Sequence, residues 1–389
     1  MDRTRRRLFY IVVSFFWFSL YAYVPYVVPY ANYLGAGLRL TGLIAGAYGF
    51  TQMIIRFPLG ILSDKLRRRK IFVQIGLSIA ALASFLAFLF PSPHMLLIVR
   101  GLGGVAASVW VTFTVLGASY YKTDESPKAM GRMSSANAFG RMTALLTGGL
   151  IAQRLGVSYA FLLAGFGGVA GLAVSFSVTE NRPIVSKVSK TQTLAEFADV
   201  IKNKQLVVCS ILGILAMYIS FATTFGFTPL AAANLDASQL QLGILGVLST
   251  APAIFISPLA GTIMPRRLGI PATLVVGFLV AGAGSALIAF SHALWMLFVV
   301  QIAGSLGGAI VGTLLLGLCI QDISAEKRAT AMGFFQAVYG FGMFLGPFVT
   351  GQMSHHFGLM AAFVATGGVG VVGAVVSIIC KKVWRPVTN

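Results

Sequence analysis

Long apolar runs separated by short basic connectors constrain this chain more than any other feature. An α-helix needs about 20 apolar residues to cross the hydrocarbon core of a bilayer. The sequence contains about twelve such runs, at residues 8–32, 40–63, 71–90, 94–120, 129–152, 156–178, 206–230, 238–263, 270–290, 293–319, 329–353 and 357–380. Only 10% of the residues are charged, compared with about 25% in soluble globular proteins. The sequence therefore predicts an all-α membrane protein.

The connectors alternate in charge along the chain. The connectors on the same side of the membrane as the N-terminus hold nearly all the Lys and Arg residues, whereas the opposite connectors hold little beyond Arg39 and Arg154. Because Lys and Arg mark cytoplasmic loops, both termini are predicted to be cytoplasmic, with anionic lipids of that face as partners of the cations. The formal net charge of +19 is then a topology signal and does not indicate a nucleic-acid partner, which would need a solvated basic face.

The chain divides into two similar halves. Seven residues in and after the fifth span, Ala129, Met130, Gly131, Phe139, Gly140, Gly149 and Gly156, return at a constant offset as Ala331, Met332, Gly333, Phe341, Gly342, Gly351 and Gly358. With an even number of spans in each half the repeat is parallel, and the substrate route is expected between the halves. We predict an N-terminal six-helix bundle at 1–178, a cytoplasmic linker at 179–205 and a C-terminal bundle at 206–389. Within the linker, residues 194–202 fit either a short amphipathic surface helix or a solvated tether.

The loop after the second span resembles a signature of the major facilitator superfamily. Its glycine, acid and cations are Gly60, Asp64, Lys65, Arg68 and Arg69, with Arg67 where a glycine is usual. Arg100 and Gly104 resemble the Arg-containing motif of the fourth span, with Gly103 in place of the usual glutamine. The resemblance covers essentially the whole chain. It implies a twelve-span secondary transporter whose two six-helix bundles are related by a pseudo-two-fold axis along the membrane normal.

The fifth span resembles that of exporters only in part. It keeps Gly140, Gly148 and Gly149, but has Ala144 and Leu145 where a Gly-Pro pair is typical of exporters. The eleventh span has Gly342, Gly346 and Pro347. Small residues at three- and four-residue spacing let helix backbones approach closely, so these positions are predicted interface residues, either of a sliding interface or of static packing.

The loop signature also predicts a conformational latch. Asp64 is the one acid among the loop's cations, and it can stabilise a neighbouring helix N-terminus or pair with Arg68 when the cytoplasmic ends are closed together. The proposed latch residues are Gly60, Asp64, Lys65, Arg68 and Arg69. The alternative interpretation is a solvated topology charge.

Apart from Arg132, near the start of span five, three arginines fall inside the predicted spans, where a charge is expensive and marks a functional site. Arg56 lies close enough to the cytoplasmic end of its span to snorkel, whereas Arg141 lies near the middle of span five with Asn137 one turn before it. All ten acidic residues fall outside the spans. The arginines must therefore be satisfied by carbonyls, tyrosines, water or a substrate anion, and no span carboxylate can carry a proton.

Polar and aromatic side chains in the spans are the candidates for substrate binding. Tyr23 and Tyr26 belong to an aromatic first span and are predicted to line the cavity, while Tyr30 fits an interfacial belt. The full set is Arg141, Asn137, Arg100, Tyr23, Tyr26, Gln52, Tyr218 and Gln336.

These features favour a secondary-active, alternating-access carrier of the bacterial inner membrane that exports a small anionic, zwitterionic or amphipathic organic solute. An importer of organic anions or sugars, and a multidrug or lipid-type exporter, are the alternatives. A proton or a counter-anion is the expected coupled partner. The spans contain no acid pair, nucleophile constellation or metal-ligand spacing, so we predict a non-enzymatic monomer without a cofactor or a metal.

Overall fold

A computed structural model of the chain describes residues 3–66, 68–121, 126–180, 202–321, 323 and 327–384. Throughout these ranges the chain is helical, apart from short turns, and contains no strand. Residues 194–201 and the centre of the linker lie outside the described residues, so the surface-helix prediction is untested.

The first half of the chain contains eight helical segments. They are α1 (Arg3–Tyr21), α2 (Val24–Tyr33), α3 (Leu38–Leu66), α4 (Arg69–Leu89), α5 (Pro93–Ser108), α6 (Trp110–Ala118), α7 (Ser126–Leu155) and α8 (Val157–Phe176). Predicted span one corresponds to α1 with α2, and predicted span four to α5 with α6.

The second half begins after the linker and is more interrupted. Its α-helices are α9 (Lys204–Ala222), α10 (Thr228–Ala233), α11 (Gln239–Leu248), α12 (Pro252–Pro258), α13 (Met264–Leu268), α14 (Ile270–Ile288), α15 (Leu294–Leu318) and α16 (Arg328–Ile379). Two π-helical turns, Thr223–Phe227 and Leu259–Ile263, join α9 to α10 and α12 to α13.

Prolines account for several of these breaks. Pro25 lacks the N–H that would bond to the carbonyl of Tyr21, and α1 ends at that residue. Both π turns end two residues before a proline, Pro229 in one case and Pro265 in the other. A proline in a helix lacks the N–H for one i→i−4 hydrogen bond, and π turns are among the usual causes of helix bending.

Nine helices in the described part of the chain are long and apolar enough to cross a membrane. One of them, Thr330–Val383, has 54 residues and is broken at Gly358, where φ is +82°. It therefore supplies two of the predicted spans. Helices α3 and α7, with 29 and 30 residues, are also of spanning length but fall outside the nine.

Gly156 and Gly358 occupy equivalent places in the two halves. Gly156 has a φ of +105° between α7 and α8, and Gly358 has a similar φ between the two spans of α16. Glycine adopts this conformation without the steric strain of a Cβ atom. The repeat found in the sequence is thus also a repeat of backbone geometry.

The chain forms two compact units that exchange a segment. The first unit comprises Met1–Ala36, Phe50–Val185 and Ser238–Val247, and the second comprises Gly37–Gly49, Ser186–Ala237 and Leu248–Asn389. In the first unit a Cβ on Gly243 would lie 2.5 Å from the carbonyl oxygen of Leu145. In the second unit a Cβ on Gly42 would lie 2.5 Å from the carbonyl oxygen of Pro347. Each unit therefore includes a glycine-mediated contact with a span from the other sequence half.

A carboxylate caps the N-terminal end of α4. The backbone N–H of Arg69 donates to Glu180 Oε1 at 2.6 Å, and that of Lys70 donates to Glu180 Oε2 at 3.4 Å. Nearby, the Tyr120 hydroxyl donates to the carbonyl of Thr179 at 2.7 Å. The first N–H groups of a helix lack intrahelical partners and carry positive partial charge, so this carboxylate satisfies both needs.

Replacement of Glu180 by glutamine is expected to loosen the first turn of α4. The amide keeps one acceptor oxygen but loses the charge and the second acceptor, a change of about 1 kcal/mol. Hydrogen exchange of the peptide that contains Arg69 and Lys70 should accelerate about fivefold. Asp236→Asn is the matched control, because Asp236 is an exposed acid in another loop. Unchanged exchange in Glu180→Gln would show that the cap contributes nothing.

Candidate functional site

The candidate site lies along the contact between α1 and α7, which we call the α1–α7 seam. A Cβ on Gly140 would collide with the carbonyl of Ser14, and a Cβ on Gly148 with that of Ala22. The Ser14 hydroxyl also donates to the carbonyl of Ala136 at 3.0 Å. The two backbones are therefore in direct contact, which brings together the side chains on either side of the seam.

The second half repeats this arrangement with different side chains. Gly342 and Gly346 of α16 meet the backbone of α9 at Ile214 and Tyr218. The other glycine of span five, Gly149, faces Leu240 and the Tyr26 hydroxyl. Four of the predicted interface glycines thus contact a helix of their own sequence half, whereas Gly149 contacts a span of the other half. Whether these contacts slide during transport stays a prediction.

Arg141 lies over an aromatic ring at the seam. Its guanidinium carbon is 4.3 Å from the centroid of the Tyr21 ring. A cation over the face of an aromatic ring is attracted by the ring quadrupole, by up to about 2 kcal/mol when the pair is desolvated. This contact positions the guanidinium, whose N–H groups point outward in the plane of a rigid fork.

An aromatic cluster extends from Tyr21. The ring centroids of Trp17 and Tyr21 are 5.6 Å apart, and those of Trp17 and Trp110 are 5.2 Å apart in an edge-to-face arrangement. Behind them Phe16 packs against Phe113 at 4.7 Å. We call Arg141, Asn137, Tyr21, Trp17 and Trp110 the seam cluster. The sequence interpretation missed Trp17 and Trp110, although the four-residue spacing of Trp17 and Tyr21 places them on one face of the helix.

The seam cluster faces away from the lipid-exposed side of α7. Phe139, Leu146 and Leu150 are 65%, 39% and 45% exposed, and at 100° per residue they mark one face of the helix. Arg141 lies about 160° from that face. Arg141 and Asn137 are half-buried, so their remaining exposure lies on the side of the helix opposite to Phe139, Leu146 and Leu150.

The other candidates of the first unit are more deeply buried. Arg100 is 4% exposed and Tyr23 is 1% exposed, and the two side chains are within hydrogen-bonding reach. Tyr23 also stacks on Phe161, with centroids 4.8 Å apart. Tyr26 and Gln52 are 0% and 4% exposed. Their assignment to substrate binding is untested, and the geometry presents Arg141 more openly than Arg100.

The second unit contains a smaller polar group. Gln301 Nε2 donates to Thr224 Oγ1 at 2.8 Å and to Ser305 Oγ at 3.2 Å, and Thr224 belongs to a π turn of the kind often found at functional sites. Tyr218 and Gln336 are half-buried. Their predicted role in binding is likewise untested.

A second cationic group surrounds Tyr121, just beyond the C-terminal end of α6. The Tyr121 hydroxyl accepts from Arg132 Nη1 at 3.0 Å and lies 2.7 Å from the Tyr10 hydroxyl, while the Arg6 guanidinium carbon is 4.7 Å from the ring centroid. Burial raises the pKa of Tyr121, but hydrogen bonds to Tyr10, Arg132 and Arg6 outweigh it and lower the pKa overall. These contacts link the N-terminal parts of α1 and α7 to the C-terminal end of α6.

The structure describes the latch residues only in part. The side chains of Asp64 and Lys65 lie outside the described residues, Arg68 is exposed, and a Cβ on Gly60 would meet nothing within 4 Å. The N–H of Arg69 donates to Glu180. The acid that caps the N-terminus of α4 is therefore Glu180, from the start of the linker. The latch at Asp64 stays a prediction.

The comparisons with known proteins agree with this architecture. The family model of the Major Facilitator Superfamily matches residues 9–270 and 210–389. The chain belongs to the major facilitator superfamily. The chain is 24% identical to the inner membrane transport protein YajR of Escherichia coli, over 94% of this chain and 80% of that protein. It is 30% identical to the multi-drug resistance efflux pump PmrA of Streptococcus pneumoniae over 38% of each chain.

A solved structure of the superfamily has the same fold. It is a bacterial homologue of the human lysosomal transporter Spinster, with a TM-score of 0.83 and 15% identity over the full length of both chains. Membership of the major facilitator superfamily confirms the resemblance found in the loop and span motifs and the fold of two six-helix halves. The protein is thus a multi-pass membrane transporter.

Gly140→Ala is expected to force α1 and α7 apart. Since the obstacle is the backbone of Ser14, no side-chain rotation can relieve it, and the loss should be about 1–3 kcal/mol. Thermal unfolding of the purified protein measures the effect. Gly131→Ala on the same helix is the control, because a Cβ there meets nothing within 4 Å and alanine favours a helix by about 0.5–1 kcal/mol. Equal melting temperatures for the two variants would contradict a tight seam.

Proposed function

We propose that this superfamily member is a secondary-active exporter of a small organic anion or zwitterion in the bacterial inner membrane, with both termini cytoplasmic. Arg141 carries the proposal. It is a partly accessible cation near the middle of a membrane span, stacked on Tyr21. Placing a charge at that depth costs about 3 kcal/mol or more of insertion free energy, so charged residues there generally serve a function.

The distribution of acids supports an anionic substrate. All ten Asp and Glu residues lie outside the predicted spans, so no span carboxylate neutralises Arg141. An anionic solute would bring a charge opposite to that of Arg141 when it binds. A site for a cationic drug would need a negative group instead, and the spans contain none.

The permanent charge of Arg141 also bears on coupling. Arginine stays protonated in proteins, so the empty site keeps its positive charge through the whole transport cycle. Reorientation with an anion bound avoids exposing that charge alone, which favours exchange of one anion for another. A counter-anion is therefore the coupled partner that we propose ahead of a proton.

Export is the proposed direction. It is supported by the similarity over 38% of the chain to the efflux pump PmrA and by the glycines that span five shares with exporters. The two vesicle orientations test it. Inverted membrane vesicles preloaded with a counter-anion should accumulate the solute several-fold faster than right-side-out vesicles. Faster uptake by right-side-out vesicles would favour an importer of organic anions or sugars.

Substitution of Arg141 tests the site. Arg141→Ala should abolish anion transport in proteoliposomes, and Arg141→Lys should reduce it at least tenfold, because an ammonium group cannot reproduce a bidentate fork. Arg154→Ala is the control on the same helix, where the arginine is exposed in the last turn. Size-exclusion chromatography of each variant checks folding. Wild-type transport by Arg141→Ala would refute the anion site, and transport of cationic dyes that is indifferent to Arg141 would favour a multidrug exporter.

A further inference from the structure

We propose that the seam cluster binds a hydroxy-substituted aromatic monocarboxylate. Arg141 would hold the carboxylate, the rings of Tyr21, Trp17 and Trp110 would pack on the substrate ring, and Trp17 and Asn137 would bond its hydroxyl group. The proposal rests on the anion-carrier function above and names the substrate class of that site.

Two unpaired polar atoms point to a ligand. Trp17 Nε1 and Asn137 Oδ1 are buried and have no hydrogen-bond partner among the described residues. Trp17 as a whole is 7% exposed. A buried polar atom without a partner costs about 1–3 kcal/mol, so each such atom in a folded protein needs an explanation. A ligand that pairs with both would recover that free energy.

The chemistry of these atoms restricts the ligand. An indole N–H can only donate, whereas an amide oxygen can only accept. A hydroxyl group meets either requirement, because it donates one hydrogen bond and accepts others. Trp17 lies one turn from Tyr21, and Asn137 lies one turn from Arg141, so both flank the same seam.

The surrounding rings favour a planar ligand. Trp17 lies edge-to-face on Trp110, and Trp110 is half-buried, so part of its ring is accessible. Aromatic pairs in such geometries gain about 0.5–1.5 kcal/mol beyond area burial. Arg141 is already seated on the face of Tyr21, and a carboxylate in the plane of its guanidinium would extend along the aromatic cluster.

The number of available cations favours a single carboxylate. Of the three arginines that lie more than one turn inside the predicted spans, Arg56 and Arg100 are 7% and 4% exposed, and only Arg141 is partly accessible. A dicarboxylate would bring a second charge into the membrane without a second accessible cation. We therefore expect a monoanion.

Binding to the purified full-length protein tests the proposal. The probes are 4-hydroxybenzoate, benzoate, cyclohexanecarboxylate and 4-hydroxybenzyl alcohol, with affinities from calorimetry. We expect 4-hydroxybenzoate to bind at least tenfold more tightly than cyclohexanecarboxylate, which lacks the ring, and than the alcohol, which lacks the charge. Trp17→Phe keeps an aromatic ring but removes the N–H. It should weaken 4-hydroxybenzoate about fivefold, the effect of one hydrogen bond, and leave benzoate nearly unchanged.

Trp295→Phe is the matched control, because Trp295 is 68% exposed on α15 and lies in the second unit. It should bind all four probes like the wild type. Equal affinity for cyclohexanecarboxylate and 4-hydroxybenzoate, or equal losses for benzoate and 4-hydroxybenzoate in Trp17→Phe, would overturn the aromatic assignment. If aliphatic anions were then transported in an Arg141-dependent manner, the proposed anion-carrier function would hold, and only the aromatic assignment would be wrong. If no carboxylate bound and Arg141→Ala transported other solutes normally, both proposals would fall.

Discussion

The close approach of α1 and α7 is the constraint on which the rest of the site depends. Gly140 and Gly148 leave the backbones of Ser14 and Ala22 in direct contact with α7. In a bilayer, where lipid tails are as apolar as leucine, helix association relies on such van der Waals contact and not on the hydrophobic effect. The same contact sets the spacing at which Arg141 reaches the ring of Tyr21. A wider separation of the two helices would remove the cation–π contact between the Arg141 guanidinium and the Tyr21 ring.

The second half contains an equivalent helix contact without the charged residue. Gly342 and Gly346 reproduce the close contact between α16 and α9, yet the positions equivalent to Asn137 and Arg141 are Tyr339 and Met343. The repeat thus conserves the backbone geometry while the functional side chains differ between the halves. An asymmetric site in a symmetric scaffold is what recognition of an asymmetric solute requires, since the scaffold alone specifies a transporter and not a substrate.

Much of the fold could be predicted from the sequence because bilayer thickness and charge asymmetry act on whole segments. The apolar runs, the parallel repeat and the loop after span two were sufficient to identify the superfamily. Local detail was less accessible. Breaks at Tyr21 and the two π turns depend on how a single proline is accommodated, which hydropathy does not register. The capping role of Glu180 was missed because it joins residues more than 100 positions apart.

Prediction of the candidate site was correspondingly uneven. Arg141 and Asn137 could be selected from sequence because a mid-span charge is rare and a four-residue spacing defines a helix face. Trp17 and Trp110 could not, since an aromatic residue in a membrane span ordinarily packs in the core or belongs to an interfacial belt. Only the tertiary arrangement shows that Trp17 contacts both Tyr21 and Trp110. Arg100 and Tyr23 were also selected from the sequence, yet both prove to be buried, and Tyr23 stacks on Phe161.

The central claim is that the seam presents Arg141, through Tyr21, to an anionic substrate. A double-mutant cycle on anion affinity tests this most directly, using Tyr21→Leu, Arg141→Ala and the double variant. If Tyr21 acts by positioning the guanidinium, its substitution should weaken binding several-fold in the wild type and have almost no further effect once Arg141 is absent. Equal losses from Tyr21→Leu in both backgrounds would show that the two residues act independently and would contradict the account.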